Sequence, residues 1–537
     1  MKTRKLLALV LALVSMFVMA LPMTASAAGE NAQITIIPPT SLTLTASDFT
    51  AYKLFDVTVS ADSVHYAYVP VAAVTAFLAS PQNAGNKYGA TPTAFRAFLE
   101  ANPSAAVMTA LTKDLKDSGK FTPVGTVSKS GNNVLIKNLD YGYYLVVGQG
   151  EAYPGAKGKV IAHSILTTVQ AANTNINLKA DAPAIDKKVW NDNYSTPKWD
   201  DWADVNIGDT VKFQHKSKVP DMTGYSSYTF IVHDKMSAGL SFNNDVAITV
   251  DGTAVPITHF AVATSGTGET KITITFIDFF NSYKAKVGKD IVITYTALLN
   301  KNAVINAPGN PNVVWLEYSN DPYNVGTPGT PGTPGNPGTP GTPGGTGETP
   351  EDKVVVYTLD LNLYKYTGTL GKSSEQALSN AKFNLKKSNG TIIKFVDLTN
   401  GNYRVATPAE ITAGTNITEV VVSPTNGKIR FIGLDAGTYT LVETAAPAGF
   451  YALDYTLSLT ISHTAGVQNP VNIKKVGGSA QDEICANVVN IYNGSGHKLP
   501  GTGGMGTTIF YVTSAIITIG LAVFFIIRKR RNTLNAE

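Results

Sequence analysis

Three strand-like segments between residues 181 and 325 each place one polar residue on an otherwise apolar face. The segments are 181–190, 228–234 and 314–320, and their polar residues are Lys187, Asp234 and Asn320. A strand turns alternate side chains to opposite faces, so burying the apolar neighbours buries these polar groups as well. A buried charge has to be paired or neutralised. A lysine, an acid and an asparagine in such positions together indicate a chemical reaction.

The reaction that these three residue types can carry out is the formation of an isopeptide bond. A desolvated Lys187 loses its proton more readily and becomes a nucleophile. Burial raises the pKa of the Asp234 carboxyl group, which can then move protons and polarise the amide carbonyl. The amine attacks Asn320, ammonia leaves, and the two side chains are joined. Lys188 is the alternative nucleophile, and in the alternative interpretation Lys187 reaches the surface while Asp234 begins a turn.

The elements that must position these residues are strands. Period-two alternation and dense strand formers recur along the chain, which predicts a mainly β fold. Helical spacing of Ala, Phe and Leu appears only within residues 70–115. The expected organisation is a signal peptide at 1–27, an N-terminal domain at 28–180, a middle β-sandwich at 181–325, a linker at 326–350, a third domain at 351–497 and a terminal signal at 498–537.

The linker contains six successive Gly-x-Pro triplets, the first of which begins at Gly326. The triplet period matches collagen, but six repeats are few. We therefore expect a semi-rigid polyproline II spacer, with a reach of roughly 3.1 Å per residue, and keep a collagen-like trimer as the alternative.

Both ends of the chain carry targeting patterns. A basic start and an apolar core precede the small residues 25–27, which predicts export with cleavage before Ala28. An N-terminal membrane helix is the alternative. At the other end, residues 509–527 are apolar or small and a basic cluster follows, which predicts a membrane span with a cytoplasmic end.

Composition excludes several functions. The net charge is +4, and there is no basic patch of the kind that nucleic acid requires. The single cysteine, Cys485, cannot form an internal disulfide. Seven scattered histidines show no metal-binding spacing, and no serine-hydrolase motif is visible. We expect no metal, no cofactor and no enzymatic turnover.

The pentapeptide just before the apolar run resembles a sortase sorting signal of Gram-positive bacteria. Its residues are Leu499, Pro500, Gly501, Thr502 and Gly503. The resemblance implies cleavage between Thr502 and Gly503 and transfer of the Thr502 acyl group to an amine.

Further segments resemble sortase-assembled backbone pilins. The N-terminal domain does so through residues 49–55 and 141–146, and the middle domain through 183–187, 232–240 and 318–322. The third domain resembles a CnaB-type domain, an immunoglobulin-like sandwich. That resemblance implies a bond between Lys365 and Asn490, assisted by Glu443.

The N-terminal domain departs from this pattern. When Gly142 is aligned with Gly437, Gly148 stands where the third domain has Glu443. Without a carboxyl group there, we expect no isopeptide bond in that domain, and Lys53 is an ordinary lysine.

Taken over the whole chain, the resemblance implies a structural subunit that is built from tandem CnaA- and CnaB-type sandwiches. It also implies that the subunits are polymerised through an exposed lysine. Lys179 occupies the place of the pilin motif lysine, although the Tyr-Pro-Lys triplet itself is absent; the rival acceptors are Lys157, Lys159 and Lys188. The implied partners are pilin-type and housekeeping sortases, other copies of the chain, accessory pilins and peptidoglycan, with a host or matrix receptor unknown. A monomeric wall-anchored adhesin and a secreted enzyme are the alternative functions.

Overall fold

A computed structural model describes residues 31–59, 66–101, 104–162, 165–193, 196–333, 338–463, 472–496 and 505–534. The expected signal peptide and the sorting pentapeptide lie outside these residues. The described parts of 1–304 and 308–357 form one compact unit, and those of 305–307 and 358–537 form a second. Both units are built mainly from β-sheets, which confirms the predicted fold class.

The N-terminal segment contains three sheets, ordered β11-β1-β6-β5, β10-β7-β3-β4 and β2-β8-β9. Its strands are β1 Ala32–Ile37, β2 Thr43–Leu44, β3 Thr50–Val59, β4 Tyr66–Pro70, β5 Thr126–Ser130, β6 Asn133–Leu139, β7 Gly142–Val147, β8 Gln149–Glu151, β9 Lys159–Ile161, β10 Ile165–Val169 and β11 Asn173–Asn177. The strand β11 runs parallel to β1 and ends two residues before Lys179.

Helices cover one face of this segment, in the region where helical spacing predicted them. They are α1 Ala72–Leu78, α2 Pro92–Glu100 and α3 Ala105–Asp117. The helix α2 begins with a proline after Thr91, whose side chain accepts a hydrogen bond from the Ala94 amide. Buried Phe95 stacks on Phe55 of β3 and contacts Phe77 of α1, so the apolar faces of helices and sheet share one core.

The middle segment has two sheets, ordered β13-β12-β15-β22-β18-β19, with β17 on β22, and β14-β25-β23-β16-β21-β20, with β24 on β23. Its elements are β12 Asp186–Asn191, β13 Lys198–Asp200, β14 Trp202–Asp204, β15 Thr210–Lys218, β16 Phe230–Met236, β17 Leu240–Phe242, β18 Ala247–Val250, β19 Thr253–Ala254, β20 Phe260–Ser265, β21 Thr270–Phe276, α4 Phe279–Tyr283, β22 Asp290–Leu299, β23 Asn310–Ser319, β24 Thr346–Glu348 and β25 Asp352–Tyr357.

The last strand of the middle sheet lies beyond the boundary that composition suggested. Strand β25 pairs antiparallel with β23 and parallel with β14, although it follows residue 351. The second compact unit begins at Thr358. The apolar alternation of β25 gave no sign of which sheet it joins, because pairing partners are not encoded in a strand's own pattern.

The Gly-Pro segment is not an extended spacer. It turns back on itself, so that Thr327 bridges Thr342 and Thr330 bridges Thr339 in antiparallel fashion. Glycines permit this approach, since a Cβ added to Gly341 would lie 2.0 Å from the Thr327 carbonyl oxygen. Every third residue is a glycine, so the repeat that suggested an extended spacer instead lets two stretches of the segment pack closely.

The third segment also has two sheets, ordered β31-β29-β30-β33-β26-β38-β37, with β27 on β26, and β32-β28-β34-β35-β36. Its elements are β26 Leu359–Thr367, β27 Gln376–Ala377, β28 Lys382–Lys387, β29 Phe395–Asp397, β30 Asn402–Val405, α5 Pro408–Ala413, β31 Ile417–Thr418, β32 Val421–Val422, β33 Lys428–Leu434, β34 Gly437–Ala445, β35 Leu457–Ser462, β36 Asn472–Val476, β37 Glu483–Cys485 and β38 Val488–Tyr492.

A long apolar helix, α6 Met505–Leu534, follows the third segment. Its stretch Phe510–Arg531 is 22 residues long with a mean hydropathy of 2.4, which is long and apolar enough to cross a membrane. This agrees with the predicted span.

The turned-back Gly-Pro segment can be tested with engineered cysteines. The Thr327 and Thr342 hydroxyl oxygens lie 2.7 Å apart, so cysteines at both positions meet the geometric demand of a disulfide. In a Cys485→Ser background, we expect Thr327→Cys with Thr342→Cys to oxidise completely and to lose two hydrogens in the mass spectrum.

The matched control is Thr330→Cys with Thr342→Cys, because Thr330 faces Thr339 and the control pair is out of register. It should remain reduced under the same mild oxidation. Equal oxidation of both pairs, or of neither, would contradict the antiparallel arrangement.

Candidate functional sites

The middle site lies between the two sheets of the middle segment. Lys187 is on β12 and Asp234 is on β16, and strand alternation turns both side chains inward, as the sequence predicted. Both side chains are fully buried, and the Lys187 ammonium contacts the Asp234 carboxylate. The structure therefore brings together the predicted nucleophile and the predicted acid.

Two residues that the sequence did not suggest complete the contacts of this pair. His215 on β15 places its Nε2 3.1 Å from Lys187 Nζ and 3.0 Å from Asp234 Oδ2. The Tyr295 hydroxyl on β22 accepts a hydrogen bond from Lys187 Nζ at 2.9 Å and donates one to Asp234 Oδ2 at 2.7 Å. Four polar side chains thus form one buried network.

Burial and the neighbouring charges together set the protonation of this network. Burial alone would raise the pKa of the Asp234 carboxyl group, but the Lys187 charge and the His215 hydrogen bond lower it below its ordinary value, so the expected rise is wrong. Loss of solvent lowers the pKa of Lys187, although the attraction of Asp234 opposes this. Loss of solvent and the nearby lysine also lower the pKa of His215, which keeps its imidazole neutral. Burial and the Asp234 carboxylate raise the pKa of Tyr295 well above its ordinary value, so the phenol keeps its proton.

The predicted amide, Asn320, does not lie at this site. Asp234 stands opposite Val314 in the pairing of β16 with β23, six residues before Asn320. Six residues of strand span roughly 20 Å, which is farther than a lysine side chain extends. The Asn320 amide instead donates to the Lys159 carbonyl at 3.0 Å.

A different asparagine on the same face of β23 takes this place. Asn312 is fully buried, and its Nδ2 donates to the Tyr295 hydroxyl at 2.8 Å. It precedes Val314 by two residues, so it continues the alternation that ends at Asn320. The sequence pattern predicted that this strand begins at Val314 and so did not include Asn312, whereas β23 begins at Asn310.

The alternative nucleophile, Lys188, points to the other face of β12. Its ammonium pairs with Asp201 at 2.5 Å and with Asp186 at 3.1 Å, and its side chain remains 29 % exposed. It does not approach the buried amide.

The third segment contains a similar buried pair. Lys365 Nζ on β26 lies 3.2 Å from Glu443 Oε1 on β34, and neither side chain is more than 1 % exposed. Burial lowers the pKa of Lys365 to about 8, against the attraction of Glu443. A substantial fraction of this amine is therefore uncharged at mildly alkaline pH.

Asn490, the amide expected to react here, faces away from the pair. It lies beside Tyr364 in the parallel pairing of β26 with β38, and Lys365 lies beside Ile491. The Asn490 amide donates to the Glu483 and Val488 carbonyls. Strand alternation therefore places the predicted asparagine on the outer face.

Asn493 occupies the inner position, three residues later. It is 1 % exposed, and its Nδ2 lies 3.3 Å from Glu443 Oε2 and 2.7 Å from the Tyr451 carbonyl. The residues 489 and 491 of β38 face inward, and Asn493 follows in the same phase. Counting phase from the apolar residues would have identified it.

The N-terminal segment has no such pair at the corresponding place. The Tyr144 hydroxyl donates to the Asp140 carbonyl as Tyr439 does to Asp435, which supports the alignment of Gly148 with Glu443. A Cβ at Gly148 would lie 2.2 Å from the Phe49 ring, so an aromatic side chain fills the space.

Lys53 itself is only partly buried. Its ammonium lies 2.6 Å from Asp56, whose side chain is about half exposed. This is the environment of an ordinary surface ion pair.

The expected acceptor lysine, Lys179, is exposed beyond the end of β11. Within the part of the chain that the structure describes, it forms no ion pair. Two rivals are engaged: Lys157 pairs with Glu348 at 2.5 Å, and Lys159 pairs with Asp48 at 2.7 Å.

Comparison with known proteins identifies two segments. Residues 207–322 match the family described as Gram-positive pilin backbone subunit 2, Cna-B-like domain. This part of the middle segment is therefore similar to backbone-pilin domains. Residues 368–475 match the prealbumin-like fold domain family. The matched pilin segment contains Asp234, His215, Tyr295 and Asn312.

The chain as a whole is similar to Gram-positive pilins. It is 23% identical over 394 residues to the trypsin-resistant surface T6 protein of Streptococcus pyogenes serotype M6, a match that covers 66% of this chain and 70% of that protein. The T6 backbone pilin structure of serotype M6 Streptococcus pyogenes aligns with a TM-score of 0.50 at 16% identity, covering 87% of this chain and 98% of that one. The major pilin SpaA of Corynebacterium diphtheriae aligns with a TM-score of 0.43 at 16% identity, covering 86% and 99%.

Proposed function

We propose that this chain is the shaft subunit of a covalent surface pilus. The observation that carries the proposal is the backbone-pilin domain at 207–322, in a chain whose relatives include the T6 backbone pilin. In this proposal a pilin-type sortase cleaves after Thr502 and joins its acyl group to Lys179 of the next subunit. A housekeeping sortase finally attaches the polymer to peptidoglycan, and accessory pilins and a host receptor are further partners.

The proposal also includes two internal isopeptide bonds. Lys187 is joined to Asn312 with the help of Asp234, and Lys365 is joined to Asn493 with the help of Glu443. What supports these assignments is that each lysine is buried against a carboxyl group, with an asparagine amide in the same polar cluster. In each reaction the amine nitrogen bonds to the amide carbon, the carbon–nitrogen bond of the amide breaks, and ammonia leaves.

The choice of amide in the middle domain is tested by mass. The wild-type soluble part, residues 28–497, should be lighter than its sequence by two ammonia losses. Asn312→Ala should lose only one ammonia, from the third domain. Asn320→Ala, the matched control, should still lose two. A crosslink across so long a loop stabilises by about 4 to 5 kcal/mol on loop entropy, so Asn312→Ala should also unfold at lower temperature.

The reverse pattern, in which Asn320→Ala loses only one ammonia and Asn312→Ala loses two, would show that Asn320 reacts and that Asn312 does not. A crosslink that tandem mass spectrometry assigns to Lys188 would show that Lys188, and not Lys187, is the nucleophile.

The third domain is tested in the same way. Asn493→Ala and Glu443→Ala should each abolish one ammonia loss, because the first removes the reacting amide and the second removes the acid beside the amine. Asn490→Ala, on the outer face, should leave the mass unchanged. Tandem mass spectrometry should find Lys365 joined to Asn493, and a crosslink to Asn490 would refute this assignment.

The polymerisation step is tested with Lys179→Arg, which keeps the charge but changes the nucleophile. In the native host, wild-type wall extract boiled in detergent should give a high-molecular-weight ladder. Lys179→Arg should give monomer only, since arginine cannot accept the acyl group.

Lys157→Arg and Lys159→Arg are the matched controls, and both should retain the ladder. If Lys179→Arg still polymerises, another lysine is the acceptor. A single species from the wild type would instead favour a monomeric wall-anchored adhesin.

A further inference from the structure

The Tyr295 hydroxyl lies between the acid and the reacting groups of the middle site. It is 2.7 Å from Asp234 Oδ2, 2.8 Å from Asn312 Nδ2 and 2.9 Å from Lys187 Nζ. One oxygen atom therefore contacts the proton source, the nucleophile and the nitrogen that must leave.

We propose that the Tyr295 hydroxyl is a catalytic group of bond formation, relaying a proton from Asp234 to the leaving nitrogen of Asn312. This inference rests on the proposed bond between Lys187 and Asn312.

The direction of the hydrogen bonds fits a relay. The Tyr295 oxygen accepts from the Asn312 amide and donates to Asp234 in the resting state. Within the described residues, Asp234 forms no hydrogen bond with Asn312, and its Oδ1 has no partner. The aspartate is therefore connected to the leaving nitrogen through the phenol.

The proton balance closes with these groups alone. Lys187 first passes a proton to the Asp234 carboxylate that it touches, and the uncharged nitrogen then attacks the Asn312 Cγ. Tyr295 gives its proton to Nδ2 and receives the one held by Asp234. The Cγ–Nδ2 bond breaks, and the former lysine nitrogen passes its surplus proton to the Asp234 carboxylate. The departing ammonia takes that proton and leaves as ammonium, and the phenol and the carboxylate return to their starting forms.

His215 has a different role in this scheme. Its neutral imidazole contacts Lys187 and Asp234 through Nε2, and it makes no contact with Asn312 among the described residues. It positions the acid and the amine, while the tyrosine touches both reacting nitrogens.

The third domain explains why only one site needs a relay. There the acid is a glutamate, whose Oε2 lies 3.3 Å from Asn493 Nδ2 directly. Its side chain is one methylene longer than that of Asp234. The third domain therefore uses the longer acid alone, and the middle domain uses the shorter acid together with the Tyr295 phenol.

The test is Tyr295→Phe in the soluble chain, followed by mass over time. The Tyr295 ring stacks on Phe213 with centroids 5.3 Å apart, and a phenylalanine preserves that packing. Losing a general acid typically slows a reaction by about 100-fold or more. Freshly purified Tyr295→Phe should show the third-domain ammonia loss at once and the middle-domain loss slowly or not at all.

A second variant separates the relay from a purely structural role. In Tyr295→Phe with Asp234→Glu, the longer acid can reach Asn312 as Glu443 reaches Asn493, so the middle-domain loss should return. Complete reaction of Tyr295→Phe at the wild-type rate would overturn the relay, as would a folded double variant that stays unreacted. Absence of the crosslink between Lys187 and Asn312 in the wild type would instead defeat the proposed bond itself.

Discussion

In the middle and third domains, the internal organisation depends on a lysine amine held in an apolar core against a single carboxyl group. An isolated buried ammonium is too costly to persist, and pairing with one carboxylate only partly offsets its desolvation. The sheets must therefore bring the acid and the amide to the amine with little freedom. In the middle domain, β12 supplies Lys187 from one sheet, and β16 and β23 supply Asp234 and Asn312 from the other. The packing of the sheets is what creates the polar site.

Much of the fold follows from residue patterns, because burial and strand alternation are local properties. Alternation placed Lys187 and Asp234 inward, the family resemblance singled out Lys365 and Glu443, and the structure has all four buried. The two predicted amides, Asn320 and Asn490, lie away from these pairs in the structure. Asn312 lies ahead of the strand start that the pattern suggested, and Asn490 shares a strand with inward residues but has the opposite phase.

Other features could not be read from the chain alone because they depend on contacts between distant segments. His215 and Tyr295 sit on strands far along the chain from Lys187, and nothing in their own neighbourhood marks them. The Gly-Pro triplets have the composition of a spacer, and only the close approach of Gly341 to Thr327 shows that they turn back. Pairing partners and register decide such features, and local propensity does not predict them.

The pairing of β26 with β38 has a mechanical consequence. These are the first and last strands of the third domain, they lie side by side in parallel, and Lys365 and Asn493 sit near their adjoining ends. Tension applied to the two ends of this domain pulls the strands in opposite directions, which loads their ladder in shear. A covalent bond between Lys365 and Asn493 would carry that tension from the first strand to the last. The residues between them would stay unloaded, and the domain would behave as an inextensible link.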